Sequence, residues 1–221
     1  MWKKLVRYLI PERIPWFAAR LYDRLAGTAI DSYYKKVAAE IVEHRDRGRI
    51  LDVGTGPGHL PVRIAKIAPE IEIDGVDLSR RLIEIARKRA KQAGVSDRVR
   101  FRVADGNRLP FADDSFDMVI STGSFHAWRN PVRVMNECRR VLKTGCEAWI
   151  YDPAKLVTDA AKNELLGSLQ GFDRVAWKWG DFTSKAVPPR SDEEIHDMIA
   201  RSAFSKGWVD RTEWLRIRLR K

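Results

Sequence analysis

The stretch Leu51-Asp52-Val53-Gly54-Thr55-Gly56-Pro57-Gly58-His59-Leu60 joins a short apolar run to three glycines at alternate positions. Two further acidic residues follow apolar runs in the same way. Asp77 ends the run Ile71 to Val76, and Asp105 ends the run Val99 to Ala104. Because ligands of open parallel sheets bind outside the carboxyl ends of the strands, this order predicts a nucleotide-type ligand lying across that edge.

Short apolar runs and helical periodicities alternate around this stretch. Strands are predicted at 50–53, 71–76, 99–104, 117–120 and 148–151, and helices at 31–43, 60–67, 79–93, 131–143 and from 191 onward. Such alternation predicts a doubly wound α/β fold with helices on both faces of a mostly parallel sheet. At the C-terminal end, 208–214 and 215–219 are predicted as two strands. In the second, Leu215, Ile217 and Leu219 alternate with arginines, which predicts one buried face and one face in water.

The length of 221 residues fits a single domain. We expect an N-terminal helical lid over 1–47, a ligand-binding core over 48–152, a substrate-side insertion over 153–190, and a C-terminal helix with strands over 191–221. No apolar run reaches the length of a membrane span, and charged residues and prolines interrupt the start of the chain, so a cytoplasmic protein is expected.

The glycine spacing limits the choice of ligand. A dinucleotide loop has the pattern G-x-G-x-x-G, whereas this chain has G-x-G-x-G with His59 at the third glycine position. No Gly-Lys-Ser/Thr follows, which excludes a Walker loop, and Asp52 is poorly suited to lie beside a pyrophosphate. The loop therefore indicates a ligand without phosphate, and a dinucleotide oxidoreductase is the rival with the same fold.

The two later acids suggest what that ligand carries. Asp77 lies 23 residues after Gly54, where a carboxylate can accept both hydroxyls of a ribose. Asp105, at the end of the third strand, is placed to accept the exocyclic amine of adenine. A ribose and an adenine without a phosphate point to S-adenosylmethionine as the cofactor.

At this point the chain resembles a known family, the class I S-adenosylmethionine-dependent methyltransferases, and within it the small-molecule subgroup that includes the ubiquinone and menaquinone C-methyltransferases. The resemblance covers about residues 49–152, in the stretches LDVGTGPGHL, GVDLS, VADGNRLPFADDSFDMVIS and NPVRVMNECRRVLKTG. With the C-terminal strands it leads us to expect a Rossmann-like, mostly parallel seven-stranded sheet with an antiparallel C-terminal strand. Cys146 departs from the family pattern, because a second glycine usually follows Gly145.

The resemblance also implies roles for the matching positions. Gly54, Thr55 and Gly56 would line the methionine part of the cofactor, and Asp77 would bind the ribose diol with Leu78 against the adenine. Asp105 would accept the adenine amine, and the Gly106 N–H would meet a ring nitrogen. Ser121 and Thr122, after the fourth strand, would lie beside the homocysteine end. The alternative for each acid is a capping or loop carboxylate.

Methyl transfer needs a base only if the acceptor loses a proton early. His126, which follows the fourth strand, is the first candidate for a catalytic base, and Asp152, which ends the fifth, is the second; a structural histidine and a loop contact are the alternatives. Tyr33 and Tyr34 are candidates to cover the cofactor, and Trp128, Trp177 and Trp179 are candidates to wall an apolar pocket. Core packing is the alternative for all five.

The absence of certain motifs limits the classes of methyl acceptor. The fourth strand is followed by Ser121-Thr122-Gly123-Ser124 and not by the Pro-Pro motif of amide- and base-methylating enzymes. The Pro-Cys nucleophile of cytosine C5 enzymes and the paired glutamates of arginine methyltransferases are also missing. A small, apolar or lipid-like acceptor is favoured. Cys138 and Cys146 lack metal-ligand spacing, so no metal is expected, and they are interpreted as reduced thiols.

The net charge of +11 keeps other partners open. Residues 80–102 hold nine lysines and arginines against Glu84 and Asp97, a pattern that a solvated helix face explains and that an RNA-binding surface also fits. An RNA- or protein-modifying methyltransferase and a non-catalytic cofactor-binding scaffold are therefore the alternatives. Apolar and basic residues in the first 17 positions fit either a membrane-surface helix or a lid over the substrate. The sequence leaves the oligomeric state open.

Overall fold

The computed structural model describes residues 31–152, 190–204, 206–211 and 214–221. In these ranges the chain forms five α-helices, one short 3-10 helix and seven strands. In chain order they are α1 (Asp31–His44), β1 (Arg47–Val53), α2 (His59–Ile67), β2 (Glu70–Asp77), α3 (Arg80–Gln92), β3 (Val99–Val103), β4 (Phe116–Thr122), the 3-10 helix (Phe125–Ala127), α4 (Pro131–Val141), β5 (Leu142–Asp152), α5 (Asp192–Arg201), β6 (Gly207–Asp210) and β7 (Leu215–Arg220).

The seven strands form one sheet in the order β3-β2-β1-β4-β5-β7-β6. The first five are parallel to one another, and β7 runs antiparallel to both of its neighbours, β5 and β6. The predicted mostly parallel sheet with an antiparallel C-terminal strand is confirmed. The strand order reverses at β1: the chain continues from β1 to β2 and β3 on one side and then returns to β4 on the other side. Ligands of such sheets bind at this point.

Two apolar cores lie on opposite faces of the sheet. The first core joins α1, α2 and α3 to the sheet through residues such as Ile41, Ile64 and Ile83. The second joins α4 and α5 to the other face through residues such as Met135 and Ile199. The sheet is thus covered on both sides, which explains why its central strands are almost continuously buried.

Most element boundaries follow their sequence signals. Ser79 caps α3 by accepting the Leu82 N–H, and Gly94 has φ +70° just after the helix, as a C′ glycine does. Ser191 and Glu194 form the predicted capping box at the start of α5. Ile67 is 51% exposed, because α2 ends at that residue.

The fifth strand is longer than predicted. The predicted helix to Lys143 ends at Val141, and β5 begins at Leu142, which pairs with Phe116. Gly145 takes the left-handed conformation at φ +80°, while Cys146 is not among the residues with positive φ. The departure at Cys146 therefore carries no backbone strain. Cys138 is buried, and burial raises the pKa of its thiol to about 12.

The arginine face of β7 is not simply in water, as the alternation predicted. Arg216 and Arg218 both donate to the carboxylate of Glu40 on α1, the second at 3.0 Å. Arg216 also pairs with Asp210 at 2.6 Å, and the Arg218 guanidinium lies 4.2 Å from the centre of the Trp149 ring. Helix α1 covers this part of the sheet, and the arginines serve as its polar contacts.

Several predictions concern residues outside the described ranges. Most of the N-terminal lid (1–30), the insertion up to residue 189, Trp177, Trp179 and the membrane-surface helix fall there. Within the described ranges, no helix combines the length and the apolar character that crossing a bilayer requires.

Candidate functional site

The glycine loop after β1 is held against β2. The N–H groups of Gly54 and Thr55 both donate to the carbonyl of Val76, each at 2.9 Å. Gly54, Gly56 and Gly58 have φ values of 76°, 55° and 77°, which lie in the left-handed region that glycine adopts without strain. Glycine at these three positions is thus explained by the course of the loop itself.

Asp77 lies at the end of β2 and fastens two loops. One carboxylate oxygen accepts the Gly56 N–H at 3.0 Å, and the other accepts the Ser79 N–H at 2.8 Å. Burial raises the pKa of this carboxyl group, while the two amide bonds act in the opposite direction. Since each carboxylate oxygen has two lone pairs, each can accept one more hydrogen bond from a ligand.

Asp52, to which the sequence analysis assigned no role, is a second buried carboxyl group beside the loop. It is 2% exposed, and its Oδ1 atom has no hydrogen-bond partner among the described residues. Burial, the largest cause, raises its pKa to about 7; the hydroxyl of Thr55 lowers the pKa and the charge of Asp77 adds to the rise. The feature of the sequence that could have identified Asp52 is its position as an acidic residue near the end of an apolar strand.

The residues predicted around the adenine lie at the ends of β2 and β3. Asp105 is exposed, and its Oδ1 atom accepts both the backbone N–H and the side-chain amide of Asn107 at 2.8 Å. Leu78 is half-buried beside Asp77. A Cβ atom on Gly106 would lie 3.3 Å from side chains of Val53 and Val134, so glycine permits close packing there.

Ser121 and Thr122 are the last two residues of β4 and differ in their contacts. The buried Ser121 hydroxyl lies 2.8 Å from both the carbonyl of Val53 and the hydroxyl of Ser124. It links β4 to β1 within the protein. The Oγ1 atom of Thr122, in contrast, is buried without a hydrogen-bond partner in the described part of the chain, so its hydroxyl remains to be satisfied.

The two predicted catalytic residues, His126 and Asp152, contact each other. The His126 N–H donates to one carboxylate oxygen of Asp152 at 2.5 Å, and the ring Nδ1 lies 2.9 Å from the other. A carboxylate acceptor selects the tautomer with the proton on Nδ1, so Nε2 is the basic ring nitrogen. The His126 side chain is 45% exposed and the Asp152 side chain only 8%, which leaves the ring accessible and its partner enclosed.

The aromatic candidates pack near the same edge. Tyr34 stacks on His59 with the ring centroids 5.9 Å apart, and Tyr33 meets Trp214 edge-on at 5.0 Å. The indole N–H of Trp128 donates to Ser124 at 3.1 Å. All three candidate side chains are buried. Among the described residues, this favours a role in core packing over a role in covering a ligand.

The basic stretch over 80–102 is used largely by the fold. Six of its nine cations have polar contacts within the protein. Arg81, Arg100 and Arg102 pair with carboxylates, Arg87 and Arg89 donate to backbone carbonyls, and Arg98 does both. These contacts account for most of the stretch without a nucleic acid, so they give the RNA alternative no support.

Comparison with known proteins adds to this geometry. A family model described as "Methyltransferase domain" matches residues 44–200. A demethylmenaquinone methyltransferase from Thermotoga maritima is 35% identical over 136 residues, which are 57% of this chain and 57% of that protein. A 27-O-demethylrifamycin SV methyltransferase from Amycolatopsis mediterranei is 34% identical over 154 residues, 67% of this chain and 52% of that protein.

A solved structure shares the fold. It is a putative S-adenosyl-L-methionine-dependent methyltransferase from Methanococcus maripaludis, with a TM-score of 0.77 and 23% identity over 96% of this chain and 95% of that one. The chain spans somewhat more than half the length of the two curated relatives named above. The similarity to those relatives is therefore that of a shared domain.

Proposed function

We propose that this chain, which belongs to the family of class I S-adenosylmethionine-dependent methyltransferases, transfers a methyl group to a small quinol-type acceptor. One observation carries the proposal: the glycine loop, Asp77 and the His126–Asp152 pair all lie at the carboxyl edge of the sheet, at the ends of β1, β2, β4 and β5. That edge brings a cofactor site and a base side by side.

The residues at this edge fit S-adenosylmethionine. Asp77 has acceptor capacity on both oxygens, as two ribose hydroxyls require. One buried oxygen of Asp52 has no hydrogen-bond partner among the described residues, and a ligand that carries a sulfonium and an ammonium group supplies positive charge for it. The hydroxyl of Thr122, which also has no partner in the described ranges, adds a polar contact at the end of β4.

The proposed cofactor contacts keep the sequence assignments and add one. Asp77 binds the ribose, Asp105 and the Gly106 N–H bind the adenine, and Leu78 packs on it. Gly54, Thr55, Gly56 and Thr122 line the methionine part, with Asp52 as a further acid close to the cationic groups. Ser121 contributes indirectly, because its hydroxyl joins β4 to β1.

When bound, the cofactor supplies a methyl group on a positively charged sulfur. The protein aligns the acceptor with that methyl group and excludes water. His126 takes the acceptor proton on Nε2, while Asp152 holds the ring through Nδ1 and stabilises the imidazolium that forms. The new bond from the acceptor to the methyl carbon would replace the bond between that carbon and sulfur, whose electron pair would stay on sulfur, so that the cofactor would leave as S-adenosylhomocysteine.

A base at this position favours an acceptor that has an ionisable proton, such as a phenol or quinol. One relative is named for demethylmenaquinone, whose reduced form is a quinol of that kind, and another is named for methylation at an oxygen of a rifamycin. The dyad suits methylation at oxygen and at an activated ring carbon equally, because both begin with loss of the hydroxyl proton.

The test is methyl transfer from labelled S-adenosylmethionine to a reduced demethylnaphthoquinone in detergent. Mass spectrometry of the acceptor measures the product, and formation of S-adenosylhomocysteine measures turnover. We expect both in equal amounts with the wild-type chain, and both at a rate at least about 100-fold lower with His126→Gln. Calorimetry with S-adenosylhomocysteine, with NADH as the control ligand, is run on both proteins.

Cofactor binding without transfer to any quinol or phenol would contradict the acceptor and favour the scaffold alternative. No binding of either S-adenosyl compound would contradict the cofactor site itself.

A further inference from the structure

Arg190 is a buried cation that the roles proposed above do not include. It is 6% exposed and directly precedes Ser191, the N-cap of α5. Its Nη2 atom donates to the carbonyl of Trp128 at 2.7 Å and lies 3.4 Å from the carbonyl of Phe125. The guanidinium group also lies 4.9 Å from the centre of the Phe125 ring.

These two carbonyls belong to the turn that carries His126. The 3-10 helix runs from Phe125 to Ala127, and Trp128 is its C-cap. The Phe125 carbonyl already accepts the Trp128 N–H at 3.2 Å, whereas the Trp128 carbonyl lies beyond the hydrogen bonds of the helix. The guanidinium group of Arg190 gives the Trp128 carbonyl a charge-assisted bond. On its other side the same turn is bonded to Asp152 through the His126 N–H.

The backbone of Arg190 is itself fixed by the start of α5. Its carbonyl accepts a hydrogen bond from Nη2 of Arg211 at 2.6 Å, and Arg211 also bonds to Asp192 in the first turn of the helix. The capping box between Ser191 and Glu194 closes the same end. These hydrogen bonds fix the backbone of Arg190, from which the guanidinium group extends to the His126 turn.

We propose that Arg190 is a positioning residue that holds the His126 turn against Asp152, so that Nε2 of the base faces the acceptor. The effect of Arg190 on catalysis rests on the proposed function. Its effect on the position of the turn rests only on the contacts described above. Arg190 does not contact the reacting atoms in this scheme; it acts through the carbonyls of Phe125 and Trp128.

The principal test is Arg190→Met, which keeps an apolar side chain over Phe125 and removes the donors. We expect kcat to fall about 10- to 100-fold, the cost of a small misplacement of a catalytic group. The Kd for S-adenosylhomocysteine should change less than twofold. In ¹⁵N NMR exchange experiments, the amides of His126, Ala127 and Trp128 should exchange at least tenfold faster than in the wild type.

Arg98→Met is the matched control. Arg98 donates to the backbone carbonyls of Ala65, Ala68 and Ile71, on the other face of the sheet from the His126 turn. This variant loses a comparable carbonyl contact, so its melting temperature should fall. Its kcat and the exchange of the His126 turn should match the wild type.

A double-mutant cycle separates positioning from a general structural effect. In a His126→Ala background, Arg190→Met should lower kcat by less than twofold, because the base it positions is gone. If the two losses multiply instead, Arg190 does not act through His126 and the proposal is wrong. If Arg190→Met fails to fold, Arg190→Lys is measured in the same cycle, with a smaller loss expected.

The exchange data do not depend on methyl transfer. Unchanged exchange in a folded Arg190 variant overturns the proposal even when the wild type is active. Accelerated exchange in a protein without transferase activity supports the positioning of the turn and contradicts the proposed function alone.

Discussion

The hydroxyl oxygen of Ser124 lies where a Cβ atom on Gly54 would have to be placed, since the two would be 2.4 Å apart. Ser124 is bonded to the carbonyl of Val53 at 3.2 Å, and its hydroxyl also receives the indole N–H of Trp128. The glycine therefore allows the turn after β4 to dock on the end of β1. Its role within the protein is close packing against Ser124.

This contact predicts the effect of Gly54→Ala. The new methyl group clashes with Ser124 and the residue must keep φ near +76°, so we expect a loss of about 2–4 kcal/mol in the free energy of unfolding. Urea denaturation measures it. Gly94→Ala is the control: its φ is +70° but nothing lies within 4 Å of the added Cβ, so only about 1 kcal/mol should be lost. Equal losses in the two variants would contradict a steric role for Ser124.

A second prediction concerns Asp77→Ala. Removing the carboxylate deletes two acceptors for the ribose, which are hydrogen bonds to a charged group, so affinity for S-adenosylhomocysteine should fall at least tenfold. Titration calorimetry gives the Kd. Because the variant also loses the bonds to Gly56 and Ser79, Asp77→Asn is measured beside it to retain an amide acceptor in the loop. Unchanged affinity in Asp77→Ala would exclude the ribose assignment.

The raised pKa of Asp52 predicts that cofactor affinity depends on pH. A cationic ligand favours the ionised carboxylate, and this group has a pKa of about 7 in the free protein. Binding below pH 7 must therefore release a proton, and affinity for S-adenosylmethionine should be about tenfold weaker at pH 6 than at pH 8. Calorimetry in two buffers counts the proton. In Asp52→Asn, the proton that the protein releases on binding should no longer be detected. Protons released by the ligand itself are the same in the wild type and the variant.

Asp52 also predicts an effect on stability in the absence of ligand. Its folded pKa lies above the value of 3.8 of an exposed aspartate, so its contribution to stability is greatest below pH 4 and is lost as pH rises through about 7. Asp52→Asn removes this loss. Its gain in unfolding free energy over the wild type should be about 3 kcal/mol larger at pH 8 than at pH 5. A gain that is the same at both pH values would mean that the carboxyl group is ionised throughout.

For the base, we expect His126→Gln to lower kcat by about 10²- to 10⁴-fold, the usual contribution of general base catalysis. The Kd for S-adenosylhomocysteine should stay within twofold. Asp152→Asn should retain part of the activity, because an amide can still accept one bond from the His126 backbone or ring. Full turnover in a His126 variant would show that the protein accelerates methyl transfer by aligning the acceptor and not by general base catalysis.

The order of strands and helices was predictable because the signals are local. Ser79 and Gly94 bracket α3, apolar residues recur in the runs before Asp77 and Asp105, and the crossover rule fixes how such units assemble. The start of β5 was not predictable in the same way. Leu142 continues the apolar stripe of α4, and its strand character comes from pairing with Phe116, a contact between distant residues.

The same distinction applies to the site. Parallel strands end at one edge, so the proximity of His126 to Asp152 follows from the topology, and both were found from their positions after strands. Arg190 has no such signal, since it lies 62 residues from Trp128 and the sequence predicts no strand directly before it. That one oxygen of Asp52 has no partner in the described part of the chain is likewise a property of packing. The pattern of the sequence shows only that an acid stands there.

The position of β7 between β5 and β6 has a consequence for the order of folding. Among the described strands, β6 hydrogen-bonds only to β7, although it precedes β7 in the chain. Strand β6 therefore cannot join the sheet until β7 has docked on β5, which requires closing a loop of more than 60 residues. The two strands form one cooperative unit: a change that releases β7, such as a proline at Ile217, also frees β6 and opens the last third of the sheet to exchange with solvent.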